Sequence, residues 1–463
     1  MRTSPRRGAR LAIFAVLAAA ISAAVLTASS QSKAAAGHVM TPATMQSPTH
    51  IVPATPLAKP TGLVRFTCQQ GNGVNLGGGL FERCYGPDQI RAAYSVTPLL
   101  NAGADGTGST IIIIDAYGSP TLMSDLNGFN ALWNLPAANV TQVAPFGIDP
   151  TSPANATGWA EESSLDVQWA HAIAPGAKIE FVIAASNNDP DILAATKWAV
   201  DHNVGDVISQ SFGEAEACFD PTLLPLQHQV FDAAVAKGMS VFASSGDEGS
   251  AQPSCTGTPE YIQAASTPAS DPDVTAVGGT DLKADLTSGA YQSEKTWNES
   301  LIFGDAVAGG GGVSTLYKRP DYQAPFVKDS HSREVPDVSY NAAVFDGVIV
   351  DFGGHFFLFG GTSCGSPQWA ALTAIADQLA GGRLGNINKT LYKLAKSGNA
   401  SSYFHDIADG STNAIPDLSP FQGAGTGTPI AGFTAVPGYD MATGLGSPIA
   451  SALLPAIAKP GQG

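Results

Sequence analysis

One run constrains the fold more than any other: Ile111–Ile114, four consecutive isoleucines that end at Asp115. A strand whose every residue is β-branched and apolar has no face to give to water, so it reads as the buried strand of a sheet covered on both sides. Ile179–Ala184, Val207–Ser211, Ser240–Ala243 and Val348–Asp351 read as further strands. Helix-like stretches, Glu162–Ala174, Pro190–His202 and Leu226–Lys237, lie between them. Such alternation predicts an α/β fold, a parallel β-sheet with helices on both faces. Functional loops then gather at the carboxyl ends of the strands, where Asp115, Ser211 and Asp247 fall.

The ends of the chain and its charge set the context. Arg2, Arg6, Arg7 and Arg10 precede an apolar run from Leu11 to about Leu26, and Ala34-Ala35-Ala36 offers a small-residue cleavage site. Residues 1–36 are therefore expected to be a signal peptide and the protein to be secreted. Residues 37–67, rich in Pro, Thr, Ala and Ser, read as a flexible leader or short propeptide, and 68–463 as one domain. Residues 1–36 carry five positive charges and no negative one, so their removal moves the net charge from −16 to −21. That acidity argues against nucleic acid as a partner. No membrane after export and a monomer are the expectations. Five cysteines in an exported chain suggest two disulfides, Cys68–Cys84 and Cys218–Cys255 by proximity, with Cys364 a buried, inert thiol.

The chemistry-bearing residues fall in three groups. In GGTSCGSP, a small-residue turn leads to Ser363 just ahead of an apolar helical stretch, placing a hydroxyl at a helix N-terminus where backbone N–H groups can support an oxyanion. Along the helix after Gly158, the residues Glu162, Leu165, Asp166, Trp169 and Ile173 share one face, which draws two acids toward the core; Glu161 points to solvent. Acids one turn apart repel and are costly to desolvate, so their titrations should be coupled. The turn Ser244-Ser245-Gly246-Asp247-Glu248-Gly249 adds a carboxyl that, protonated, can donate to an oxyanion. Toward the C-terminus, Asp406-Ile407 and Gly438-Tyr439-Asp440 offer hard oxygen ligands of the kind calcium prefers, or a pair of Asx turns.

Taken in order, these segments resemble the sedolisin family, the serine-carboxyl peptidases with a subtilisin-like fold. The resemblance runs through Glu162-x-x-x-Asp166, Ser211-Phe212-Gly213, Ser245-Gly246-Asp247, Val277-Gly278-Gly279-Thr280, Trp297-Asn298 and Gly310-Gly311-Gly312. It continues through Val335-Pro336-Asp337-Val338, Gly361-Thr362-Ser363 and Gly438-Tyr439-Asp440, covering about Tyr85 to Pro448. It implies Ser363 as nucleophile, Glu162 as general base, Asp166 as its orienting partner and Asp247 at the oxyanion. It also implies one Ca²⁺ held by the Asp406 and Asp440 side chains and the carbonyls of Ile407, Val436 and Gly438, in C-terminal calcium-binding loops. Two positions depart from the family pattern: Val436 replaces a glycine, and Phe212 stands where Trp or Tyr is more usual. The resemblance also implies protein or peptide substrates; where the family usually carries a long propeptide, only the short leader of residues 37–67 is expected here.

Because a carboxylate base must be ionised while Asp247 stays protonated, an acidic optimum with a bell-shaped profile is expected. Endopeptidase action is the first expectation, and tripeptidyl exopeptidase action the alternative. Other readings fare worse. A subtilisin triad needs a histidine followed by glycine, and none of the eight histidines is. A Cys364 nucleophile has no neighbouring histidine. Glycosidase acids come more naturally from different strands than from one helical turn. Asp115 reads as a structural strand end and His171 as structural, off the inward face. A secreted binding protein on a dead peptidase scaffold is the rival from another class, although all four catalytic positions hold competent residues.

Overall fold

The computed structural model describes residues 41–42, 45–46, 56–77, 79–150, 153–256, 260–328, 330–419 and 429–459. The expected signal peptide lies outside them. Among the described residues no helix is long and apolar enough to cross a membrane.

The four isoleucines divide their side chains between the two faces of the central sheet. Ile111 and Ile113 join a core with Leu165, Trp169 and Leu372, while Ile112 and Ile114 join a second core with Ile192, Val200 and Phe231. The strand Thr110–Ala116 pairs in parallel with Lys178–Ala184 on one side and Val207–Gln210 on the other. The sheet continues through Ser240–Ser244 to Thr275–Ala284 and ends at antiparallel Tyr291–Thr296; Asn139–Val143 forms the opposite edge. Helices Pro153–Ile173 and Gly365–Ala380 cover the first face, and Asp189–His202 and Leu224–Ala236 the second.

Three expectations need correcting. Val348–Asp351 is a strand, within Asp346–Phe352, but it belongs to a separate mixed sheet, antiparallel to His355–Gly360 and parallel to Leu80–Tyr85. The acid-bearing helix is not amphipathic in place: Ser163, Ser164, Gln168 and His171 are as buried as Leu165. It is sandwiched between the central sheet and the second one, where Gln168 exchanges two hydrogen bonds with the Asp351 backbone and Trp169 Nε1 donates to the Ile349 carbonyl. Order also begins before Cys68. Pro56–Thr61 pairs with Val64–Phe66, and the dipeptides Thr41–Pro42 and Met45–Gln46 pair with the strands Phe212–Ala215 and His355–Gly360.

Both disulfides form as expected, Cys68–Cys84 and Cys218–Cys255. Cys364 is free and buried, and burial pushes its thiol up, with the charges of Asp247, Glu162 and Asp166 adding to the effect. Such a thiol is inert.

Candidate active site

Ser363 lies in a short 3-10 turn, Thr362–Cys364, immediately before the helix Gly365–Ala380. Gly361 enters that turn at φ +99°, a conformation that favours glycine. The Ser363 hydroxyl donates to the Ser211 carbonyl at 3.2 Å. Contrary to the exposed hydroxyl expected from the turn, Ser363 is 0% exposed in the full chain.

Glu162 and Asp166 both project into this site and are fully buried. The Glu162 carboxyl contacts the Ser363 side chain, which favours its charged form, but burial first and the charges of Asp166 and Asp115 next hold it well above the usual glutamate range. Asp166 lies against the Ser211 hydroxyl and the Glu162 carboxyl; burial raises it too, against those two contacts. Asp115 is the residue that the sequence reading misplaced. It is no passive strand end: its buried carboxyl stands beside Asp166 and Ser163, raised by burial and then by the Asp166 charge. The signal for it was its position at the carboxyl end of a parallel strand. Three carboxyls thus share one buried site, so they hold fewer than three negative charges at neutral pH. Glu161, by contrast, is half-buried at the rim of the helix.

Asp247 approaches the Ser363 turn through Thr362. Its Oδ1 accepts from the Thr362 backbone N–H at 2.8 Å and from the Thr362 hydroxyl at 2.7 Å. Its Oδ2 is buried with no partner among the described residues. Burial and the adjacent Glu248 charge raise its pKa, which places a proton on Asp247, with Oδ2 free to donate it. The glycine run supports this loop from behind: Gly310 N–H donates to the Gly246 carbonyl at 2.7 Å, and a Cβ at Gly310 would stand 2.1 Å from the Ser245 carbonyl oxygen. Phe212 follows Ser211 and opens the strand Phe212–Ala215, and it packs on Trp159 with ring centroids 5.7 Å apart. The strand His355–Gly360 ends three residues ahead of Ser363.

The residues expected at calcium also converge. Asp406 accepts from the Gly438 N–H at 3.0 Å; Asp440 accepts from Val436 N–H at 3.0 Å, Ala442 N–H at 2.9 Å and Thr443 N–H at 2.8 Å. The carbonyls of Ile407, Val436 and Gly438 accept no hydrogen bond among the described residues. Burial pushes Asp440 up to about 6, a cost that a bound divalent cation would remove. The donor set fits calcium. A different group of potential ligands, His228, Asp271 and Asp273, lies within 4.8 Å of one another, and there His228 Nδ1 stands 2.9 Å from Asp271 Oδ2.

Raised carboxyls are not confined to the site. Burial, with the Asp206 charge, carries Asp377 to about 8, and burial with Asp281 carries Glu299 to about 7. Each keeps a proton in the folded chain that the unfolded chain releases near pH 4, so folding takes up protons and stability falls as pH rises from there. His405, lowered to about 4 by burial, and His171, also lowered by burial, work in the opposite sense but are fewer than the raised carboxyls. A thermal midpoint measured from pH 4 to pH 8 should therefore fall steadily; a midpoint that rises toward neutrality would contradict this electrostatic picture.

The sequence profile of the subtilase family matches residues 154–391, just over half the chain. Kumamolisin from Bacillus sp. (strain MN-32) is 33% identical over 382 residues, covering 81% of this chain and 63% of that protein. Sedolisin from Pseudomonas sp. (strain 101) is 31% identical over 347 residues, 73% of this chain and 56% of that protein. The chain thus matches less than two thirds of the length of these relatives. Among solved structures, Pseudomonas sedolisin, a serine-carboxyl proteinase in complex with pseudo-iodotyrostatin, superposes with a TM-score of 0.69 at 27% identity, covering 82% of this chain and 99% of that one. With the acid helix, the Asp247 loop and the Ser363 turn meeting as they do, the chain belongs to the sedolisin family of subtilisin-like peptidases.

Proposed function

We propose that the chain is an exported, acid-acting serine-carboxyl endopeptidase. The convergence of Ser363, Glu162 and Asp166 opposite an Asp247 oxygen that lacks a partner carries this reading. Glu162, ionised, takes the proton of the Ser363 hydroxyl as its oxygen attacks the scissile carbonyl carbon. Asp247, protonated and buried, donates from Oδ2 to the oxyanion. The proton held by Glu162 passes to the leaving amine as the C–N bond breaks, and water then hydrolyses the Ser363 ester by the same base. Asp166 and Asp115 position Glu162 and spread its charge and proton over three carboxyls. Imidazole, protonated in acid, would be useless as the base under these conditions.

Wild type and Ser363→Ala, assayed on a denatured protein at pH 4 with mass spectrometry of the products, test the reading. Interior cuts by wild type and none by the variant are expected. Equal hydrolysis by both would sink the assignment of Ser363, and release of tripeptides alone would move the enzyme to the exopeptidase alternative.

Asp406, Asp440 and the carbonyls of Ile407, Val436 and Gly438 are proposed to hold one Ca²⁺, which supplies charge neutralisation and cross-links two loops. An ion held at 100 times its dissociation constant stabilises by about 2.7 kcal/mol. EGTA should lower the thermal midpoint by several degrees, added calcium should restore it, and Asp406→Ala should abolish the difference. A midpoint indifferent to EGTA would remove calcium from the account.

A further inference from the structure

The helix Leu224–Ala236, on the face of the central sheet opposite the acid helix, brings a histidine to a pair of aspartates. His228 Nδ1, one oxygen of Asp271 and one of Asp273 all lie within 4.8 Å of one another. The two aspartates flank Pro272 in the loop that joins Ser266–Thr267 to Thr275–Ala284. Asp232, one helical turn beyond His228, is exposed and close enough for its charge to act on both His228 and Asp273. Three carboxylates therefore stand near one imidazole, and none of them pairs with a lysine or arginine among the described residues.

An ion pair between His228 and Asp271 accounts for only part of this grouping, since one proton on the imidazole offsets one of three negative charges. A divalent cation offsets two, and the donors suit one. Ligands about 2.1 Å from a shared metal stand roughly 3–4 Å from one another, so the present spacing closes with small side-chain rotations. The loop is already held for it. Asp271 Oδ1 accepts the Asp273 N–H at 2.9 Å, which leaves Oδ2 toward His228. Asn386 Nδ2 reaches the Pro272 carbonyl at 3.1 Å and Asp273 Oδ1 at 3.3 Å, and the Tyr322 hydroxyl donates to the same carbonyl at 2.9 Å. The Tyr317 ring packs against the imidazole with centroids 5.7 Å apart. Outer contacts of this kind orient metal ligands. An ion can also enter from solvent, because the His228 side chain is 42% exposed.

We infer that His228, Asp271 and Asp273 form a second metal site, for zinc or a chemically similar transition-metal ion, with Asp232 or water completing the coordination. The imidazole nitrogen separates it from the Asp406–Asp440 loops: oxygen donors alone favour calcium, whereas nitrogen together with carboxylates favours zinc. A bound ion ties the helix to the loop that leads into Thr275–Ala284, whose Val277 carbonyl accepts the Ser245 N–H at 2.9 Å in the turn that carries Asp247. No catalytic residue is among its ligands, and the site does not depend on the peptidase reading.

Zinc binding to the Ser363→Ala chain, freed of transition metals and kept in excess calcium at pH 8, tests this by calorimetry and thermal midpoint. The pH keeps the imidazole available, since a metal must displace its proton. One zinc ion per chain should bind with micromolar or tighter affinity and raise the midpoint by several degrees, while magnesium should do neither. His228→Ala should weaken binding at least about 100-fold, and Asn386→Ala, which removes an outer support, about 10-fold. Should His228→Ala fail to fold, Asp273→Asn takes its place, with an expected loss of at least about 10-fold. Zinc that binds either ligand variant as tightly as the parent, or that excess calcium displaces, overturns the inference. So does a parent chain whose midpoint zinc leaves unmoved.

Discussion

Glu162→Gln should abolish nearly all turnover, with kcat falling at least about 10³-fold on a peptide substrate at pH 4, while KM moves only a few-fold. Glutamine preserves the length of the side chain and its contacts with Ser363 and Asp166, and removes only the capacity to take a proton. It also removes a buried carboxyl that burial and two neighbouring acids strain toward neutrality. The thermal midpoint of the variant should therefore equal or exceed that of wild type, separating lost chemistry from lost structure. A kcat within tenfold of wild type would show that Glu162 is not the base. Asp247→Asn makes the complementary case. The amide can still accept from Thr362 and donate from its nitrogen, but it does not titrate. Its pH profile should keep the acid limb, set by ionisation of the carboxyl cluster, and lose the alkaline limb, set by Asp247.

The positions of these residues were legible because helical spacing puts Glu162 and Asp166 on the side of Leu165 and Trp169, and because the turn at Ser363 carries its own glycines; their roles came from the family resemblance. Asp115 was not. It precedes Glu162 by 47 residues, and only the parallel pairing of Thr110–Ala116 with its neighbours brings its carboxyl to Asp166. The strand Thr275–Ala284 escaped for a different reason: Gly278 and Gly279 interrupt its pattern. The structure needs both, since a Cβ at Gly278 would stand 2.6 Å from Pro336 and one at Gly279 2.9 Å from Trp297. Likewise, a β-branched run announces a strand but not its sheet, which is why Asp346–Phe352 was assigned to the wrong one. Composition misled at the leader. Pro, Thr and Ala look structureless until a neighbouring strand edge supplies the hydrogen bonds that they cannot make alone.

The largest stability effect is expected at Asp337, one of the motif residues outside the site. Arg333 and Asp337 are both 0% exposed and paired through both guanidinium nitrogens, with Arg333 Nη1 2.6 Å from Asp337 Oδ1. The same carboxylate accepts from the Ala276 N–H at 2.8 Å and the Tyr392 hydroxyl at 2.9 Å. Its backbone carbonyl takes the Leu445 N–H at 2.8 Å, and Gly444 packs against it so closely that a Cβ would stand 2.5 Å away. One residue therefore joins a central strand to the C-terminal loop that carries Asp440. Asp337→Ala leaves the guanidinium buried and uncompensated, at a cost of about 3–5 kcal/mol, because desolvation of the remaining charge is no longer offset by its partner. Chemical denaturation should show that loss, and the EGTA-sensitive part of the thermal midpoint should shrink with it as the loop loosens. Arg333→Met combined with Asp337→Leu discriminates between charge and packing. Recovery of most of the lost stability would identify the stranded charge as the cause, whereas a double variant as unstable as Asp337→Ala would mean that the hydrogen bonds to Ala276 and Tyr392 hold this junction instead.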